Sequence, residues 1–159
     1  MVKVYFLRHG IAADPDEWKG DDASRPLTAE GRERMEREAK ALAKLGLDPG
    51  VIVTSPLVRA KQTAEILADA LKMRKKLVED GRLAQNFDRA KLAGVLQDHA
   101  GVENVVVVGH EPDFSALVGE IVGGAAIALK KGGIACVELA SASAPAGELL
   151  WLVPPKVLL

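Results

Sequence analysis

The segment Asn104–Pro112 reads NVVVVGHEP, and it limits the fold more than any other stretch of the chain. Four consecutive β-branched apolar residues send side chains to both faces of a strand, so neither face tolerates water. Such a strand belongs inside a sheet covered on both sides, the arrangement parallel sheets adopt when helices connect their strands. The rest of the chain supplies that alternation. VKVYFL (2–7) reads as a buried strand ended by Arg-His-Gly, VIVTSP (51–56) as a β-branched strand ended by Ser-Pro, and KKLVE (75–79) as a shorter one.

Helical stretches separate these strands. Thr28 caps a helix that stops at Gly46 and carries Met35, Ala39, Leu42 and Leu45 on one stripe, with Gly31 where a capping-box Glu would sit. LVRAKQTAEILADAL (57–71) places Ala60, Ala64, Leu67 and Leu71 on another stripe, and RAKLAGVLQDHA (89–100) reads as a third helix. PDFSALVGEIVGG (112–124) has Pro112 in its first turn and a Gly-Gly end. GIACVEL (133–139) and ELLWLV (148–153) flank an Ala/Ser/Pro/Gly turn and read as a terminal hairpin. The pattern predicts a three-layer αβα fold: a largely parallel sheet with helices on both faces and sites at the carboxyl ends of its strands. At 159 residues the expectation is a single domain spanning 1–159, with the polar, two-proline stretch 11–26 a surface loop and not a linker.

Charge removes several functional classes. With 21 Lys+Arg against 22 Asp+Glu the chain has no basic excess for a nucleic acid, and 48% apolar residues are too many for disorder. The N-terminal VYFL run is too short for a signal-peptide core or a membrane span, so the expectation is a cytoplasmic protein with no membrane partner. Cys136, the one cysteine, has no partner for a disulfide or a thiolate metal site and reads as a buried strand residue. Trp151 reads as core, Trp18 as a loop tether or a substrate-mouth residue, and His99 as a helix-terminal contact. Ser55 reads first as a cap for the helix beginning near Pro56, with a hydrogen bond within its own loop as the alternative.

The strand-end rule locates the chemistry. Arg8-His9 ends the first strand, Thr54-Ser55 the second with Arg59 one turn into the next helix, and Gly109-His110 the valine strand. If those strands are neighbours, two imidazoles and two guanidiniums share one rim. A neutral imidazole is a nucleophile toward phosphorus, and a guanidinium presents a fork of donors that matches phosphate oxygens. A second imidazole, when protonated, stabilises the equatorial oxygens of a phosphoryl group in flight. Gly10 lets the backbone turn closely beneath a bound anion.

Four ordered blocks, LRHG (7–10), RPLTAEG (25–31), SPLVRAKQTAE (55–65) and VVGHEP (107–112), resemble the histidine phosphatase superfamily. The short chain, the RHG followed by Ile-Ala and the GHEP block are more similar to its small SixA-type phosphohistidine phosphatases than to its phosphoglycerate mutases. The resemblance implies a phosphoglycerate mutase-like fold and hydrolysis through a phosphohistidine enzyme intermediate. It assigns His9 as nucleophile, Arg8 and Arg59 as phosphate clamp, and His110 as the second histidine, with Arg25 a further phosphate or substrate contact. It implies no metal and no cofactor.

In the mutase branch an acidic residue after the third strand protonates the leaving oxygen, and here that region reads LVEDGRLAQNFD. Glu79 and Asp80 are candidates by location, Glu111 and Asp113 by proximity to His110. Arg25 has surface partners available in Asp21 and Asp22. A simple phosphate ester needs a proton delivered to its leaving oxygen, whereas the imidazole leaving group of phosphohistidine carries its own. The expected activity is therefore a metal-independent phosphatase acting on a phosphorylated protein, through its phosphohistidine, or on a small phosphate. The alternatives are a broad-specificity phosphomonoesterase for metabolites and a phosphoprotein-binding module without turnover.

Overall fold

The computed structural model describes residues 1–159. In chain order the elements are β1 (Val2–Arg8), α1 (Ala29–Lys44), β2 (Val51–Thr54), α2 (Val58–Leu71), β3 (Leu77–Glu79), α3 (Arg89–Asp98), β4 (Asn104–Gly109), α4 (Asp113–Ile121), β5 (Ile134–Leu139) and β6 (Gly147–Val153). They build one six-stranded sheet of order β3-β2-β4-β1-β5-β6. β3, β2, β4 and β1 run parallel, while β5 and β6 add an antiparallel pair beside β1. No helix is long and apolar enough to cross a membrane.

The valine run is explained by two cores. Val105 and Val107 join Val4, Phe6, Val51 and Val53 beneath Leu92, Val95, Phe114 and Leu117, which come from α3 and α4. Val106 and Val108 join Leu7 and Ile52 on the opposite face, beneath Met35, Ala39, Ala60, Ala64 and Leu67 of α1 and α2. Each face of β4 therefore needs an apolar side chain, and alternation would leave one core with polar groups. β3, at the edge, carries none of this burden: Val78 is exposed, and only three residues pair.

The predicted helices are shortened at their ends but otherwise stand. Thr28 accepts the Gly31 N–H at 2.9 Å, as an N-cap should. The absent capping-box Glu has a steric reason: a Cβ at Gly31 would lie 2.0 Å from the carbonyl oxygen of Ile11, so α1 can approach the segment after His9 only with glycine there. Trp151 does not enter the core. It stands half-exposed on β6, at the sheet edge, with its ring 5.9 Å from that of Tyr5. Cys136 is buried on β5, and burial pushes its thiol pKa up. His99 follows the last turn of α3, and the Trp18 indole donates to the Asp21 carbonyl and to Ser24, tethering its loop.

Glu38 on α1 is an anomaly within this frame. It is buried, neither carboxyl oxygen has a hydrogen-bond partner, and burial pushes its pKa up to about 8, against the opposing charge of Arg34. The unfolded chain ionises this group near pH 4.5 while the native chain resists doing so, so stability falls as pH rises from there to about 8. Glu38→Met removes the penalty and is expected to raise stability by about 1–3 kcal/mol at pH 8 and by less at pH 5, read from urea midpoints. An equal gain at both values would assign the effect to packing.

Candidate active site

The parallel register of β1 and β4 places Arg8 opposite Gly109. Both strands end at the same rim, and the His9 N–H donates to the Gly109 carbonyl at 3.1 Å. The two imidazoles that follow are thereby brought face to rim, with ring centroids 5.4 Å apart and planes inclined by 52°. Gly109 is required by its neighbour: a Cβ there would lie 2.7 Å from the ring of Phe114, which packs edge-on against Phe6.

The His9 ring has a defined tautomer. Nδ1 lies 2.7 Å from the carbonyl oxygen of Gly10, which only accepts, so Nδ1 holds the proton and Nε2 keeps its lone pair. Burial depresses the His9 pKa to about 3; the Gly10 hydrogen bond opposes this, and the charges of His110, Arg59 and Arg8 add to it. Burial likewise takes His110 down to about 4, with the charge of Arg59 contributing and Asp113 and Asp22 opposing. The histidines are thus both neutral at pH 7.

Ser55 follows the second of its two readings, a hydrogen bond within its own turn, and adds a contact to His110 that the sequence did not suggest. The residue preceding α2 is Leu57, which makes no side-chain cap. The Ser55 hydroxyl instead accepts the Leu57 N–H at 3.2 Å within the turn and contacts His110 Nε2 at 2.8 Å. Thr63 escaped the sequence reading altogether. Buried on α2, it donates to the Arg59 carbonyl at 2.8 Å and accepts the Gly10 N–H at 3.1 Å, joining the helix that carries Arg59 to the loop after His9. Its signal was present in SPLVRAKQTAE, one helical turn beyond Arg59.

The structure also brings Arg8, Arg59 and Arg25 to this rim. Arg8 donates to the Leu129 carbonyl at 2.9 Å. Arg59 donates to the Asp22 carbonyl at 2.8 Å and to its carboxylate at 3.0 Å. Arg25 contacts the other Asp22 oxygen at 3.1 Å and donates to the Ala13 carbonyl at 2.8 Å. Arg8 Nε, Arg59 Nε and His110 Nδ1 are buried without any protein partner. Three residues whose charges act on His9 therefore hold a nitrogen whose hydrogen-bonding capacity the fold itself does not use, which suits a multi-oxygen anion.

The four carboxylates considered as proton donors are all engaged. Glu79 pairs with Lys61 at 2.6 Å at the exposed sheet edge. Asp80 accepts from the Arg82 side chain and backbone N–H, and Arg82 holds its pKa below the usual carboxylate range. Glu111 accepts from the backbone and hydroxyl of Ser115, and Asp113 accepts the Phe87 N–H at 3.2 Å. No group of three or more His, Cys, Asp or Glu side chains is placed to hold a metal ion.

An α/β sheet whose rim gathers paired histidines and arginines around an unspent set of donors defines a protein that handles phosphoryl groups. A profile described as the histidine phosphatase superfamily (branch 1) matches residues 4–91. An uncharacterized protein of Picosynechococcus sp. is 39% identical across 99% of both chains. The phosphohistidine phosphatase SixA of Escherichia coli is 30% identical over 76% of this chain and 74% of its own. A solved structure of the protein histidine phosphatase SixA complexed with tungstate superposes with a TM-score of 0.87 at 28% identity, covering 99% of each chain. The chain belongs to the histidine phosphatase superfamily and is a phosphatase of that group.

Asp22 makes a prediction specific to this site. Its carboxylate bridges Arg25 and Arg59, and these cations hold its pKa low against the opposing effect of partial burial. An anionic ligand must share those arginines with it. Asp22→Asn keeps the shape and removes the competing charge, so inorganic phosphate is expected to bind about two- to fivefold more tightly by calorimetry. Weaker binding would mean that Asp22 serves to position the arginines.

Proposed function

We propose that this phosphatase hydrolyses phosphohistidine in a protein substrate through a covalent intermediate on His9. The observation that carries the reading is the His9–Gly10 hydrogen bond, which fixes the proton on Nδ1 and leaves Nε2 free beside His110 and the arginines. Arg8 and Arg59 hold the phosphoryl oxygens, and Arg25 adds a contact at the Asp22 side. The Nε2 lone pair attacks phosphorus, a new N–P bond forms, and the substrate's P–N bond breaks. The substrate imidazole departs neutral because its other nitrogen already carries a proton.

The same hydrogen bond assists the second step. With Nδ1 protonated, phosphorylated His9 is an imidazolium and a good leaving group. Water attacks phosphorus, the N–P bond breaks, its electron pair returns to Nε2, and orthophosphate takes the water's oxygen and protons. His110 supports both transfers. When the Ser55 hydroxyl, itself accepting the Leu57 N–H, donates to Nε2, the imidazole proton sits on Nδ1, the buried atom with no protein partner. That N–H, or the imidazolium formed beside a dianion, stabilises the equatorial oxygens. No step uses a metal ion. Glu79, Asp80 and Glu111 are held by Lys61, Arg82 and Ser115, Asp113 is tied to the Phe87 N–H, and none is hydrogen-bonded to His9, which favours phosphoramidates over esters.

Rapid quench with labelled phosphoramidate or a phosphohistidine peptide tests the covalent step. Wild type is expected to retain an alkali-stable, acid-labile label, and His9→Asn to retain none while losing about 10⁴-fold or more in kcat/KM. An unlabelled wild type, with His9→Asn still active, would refute the mechanism. Faster turnover of metabolite esters than of phosphohistidine peptides would select the phosphomonoesterase reading.

Ser55 is a positioning residue. Ser55→Ala is expected to lower kcat about tenfold with little change in KM or melting temperature, and Ser55→Thr to restore most of it. A loss seen only in KM or in stability would return Ser55 to a turn-forming role.

A further inference from the structure

A trough runs along the rim from Arg8, and apart from Arg8 its lining has no part in the phosphoryl chemistry. It encloses about 710 Å³ and is lined by Arg8, Ile11, Arg34, Lys130, Lys131, Pro154, Pro155 and Lys156. Cations make up most of that lining, and it contains no carboxylate, in a chain whose net charge is -1. Neither Arg34 nor the three lysines forms an ion pair. The nearby Glu38 carboxyl, beside Gly132, is buried, forms no ion pair with any of these cations, and is held from ionising by that burial up to about pH 8, against the pull of Arg34. The charge is assembled by topology: Arg8 ends β1, Lys130 and Lys131 precede the antiparallel β5, and Pro154–Lys156 follows β6, so all reach one rim.

We infer that this trough is a docking surface for an acidic segment flanking the phosphohistidine of a protein substrate. The inference rests on the proposed function and names its partner more narrowly. The form of the charge selects the occupant. Beyond Arg8 and Arg34, the charge comes from Lys130, Lys131 and Lys156, exposed, flexible point charges beside two prolines that present no fork to grip a single phosphate. Such a surface attracts carboxylates spread along an extended chain and acts on encounter and affinity, not on the chemical step. On the Arg59 side, the exposed loop carrying Asp14, Asp16, Glu17, Asp21 and Asp22 repels the same segment and sets its direction.

The test compares phosphohistidine peptides with Asp/Glu flanks and with neutral flanks, alongside phosphoramidate and a small bisphosphate, at pH 7.5. The acidic peptide is expected to have a KM about tenfold below that of the neutral one at low salt, a difference that about 0.5 M NaCl removes. The variant K130A/K131A/K156A is expected to abolish the difference and leave kcat and phosphoramidate turnover within about twofold of wild type. Equal KM values in wild type, or a preference that survives in the triple variant, would overturn the docking surface. Lysine dependence confined to the bisphosphate would make the trough a small-ligand subsite and overturn it as well. If no phosphohistidine substrate turns over, the proposed function fails separately. Fluorescence anisotropy of the same peptides on His9→Asn, with and without the lysine substitutions, then decides the docking: a lysine-dependent acidic preference sustains it, and equal affinities refute it.

Discussion

The pairing register of β1 with β4 is the constraint on which the site depends. Parallel neighbours end at the same edge of a sheet, so residues following each strand meet without any long-range search by their side chains. A slip of two residues would move the strands about 7 Å along each other, more than the 5.4 Å that separates the His9 and His110 rings. A slip of one would turn Val105 and Val107 toward the α1 and α2 core and reverse every contact on both faces. Burial of the valine strand on two sides thus holds the histidine geometry, and the same packing places Phe114 where only a glycine can precede His110.

α2 is the second organiser. Arg59 reaches across to the Asp22 turn, Gln62 accepts the Leu27 N–H at 2.9 Å, and Thr63 takes the Gly10 N–H, so one helix face holds the long connection between β1 and α1 at three points. The electrostatic state that results is poised. Burial lowers the pKa of Arg8 and Arg59 as well as of both histidines, so the site holds its groups against a desolvation cost that the rest of the fold supports. A phosphoryl dianion reverses much of that cost by offering negative charge to each of them. Donors fixed in advance need not reorganise when the charge moves during transfer.

Periodicity and strand ends made much of this legible. The buried valine strand implied a covered parallel sheet, and sheet topology then turned Arg8-His9, Arg59 and His110 from scattered residues into one rim. What stayed hidden was decided by contacts between segments far apart in sequence. The tautomer of His9 depends on where the Gly10 carbonyl points, and the engagement of Glu79 depends on Lys61 from the neighbouring helix. Ser55 was legible only in part: Ser before Pro suggests a local cap or turn bond, and its hydroxyl does accept the Leu57 N–H, while its contact with His110, 55 positions away, has no local signal. Trp151 misled outright. Apolar side chains read as core, but an edge strand has half its surroundings missing, and β6 leaves Leu149, Leu150 and Trp151 partly in solvent.

Chemistry and recognition occupy different dielectric settings on one rim, and the separation has a physical advantage. Buried donors such as Arg59 act strongly and at fixed geometry, which suits a phosphoryl group whose shape never varies. Exposed lysines act weakly and over a Debye length, which suits a polypeptide whose conformation is not fixed beforehand. In the proposed arrangement a change in the lysines alters which partner arrives without disturbing the attack on phosphorus, and a change in the buried set does the reverse. Arg8 alone belongs to both, as a neighbour of His9 and a wall of the trough. Under the proposed docking it couples the arrival of an acidic segment to the placement of the group that segment carries.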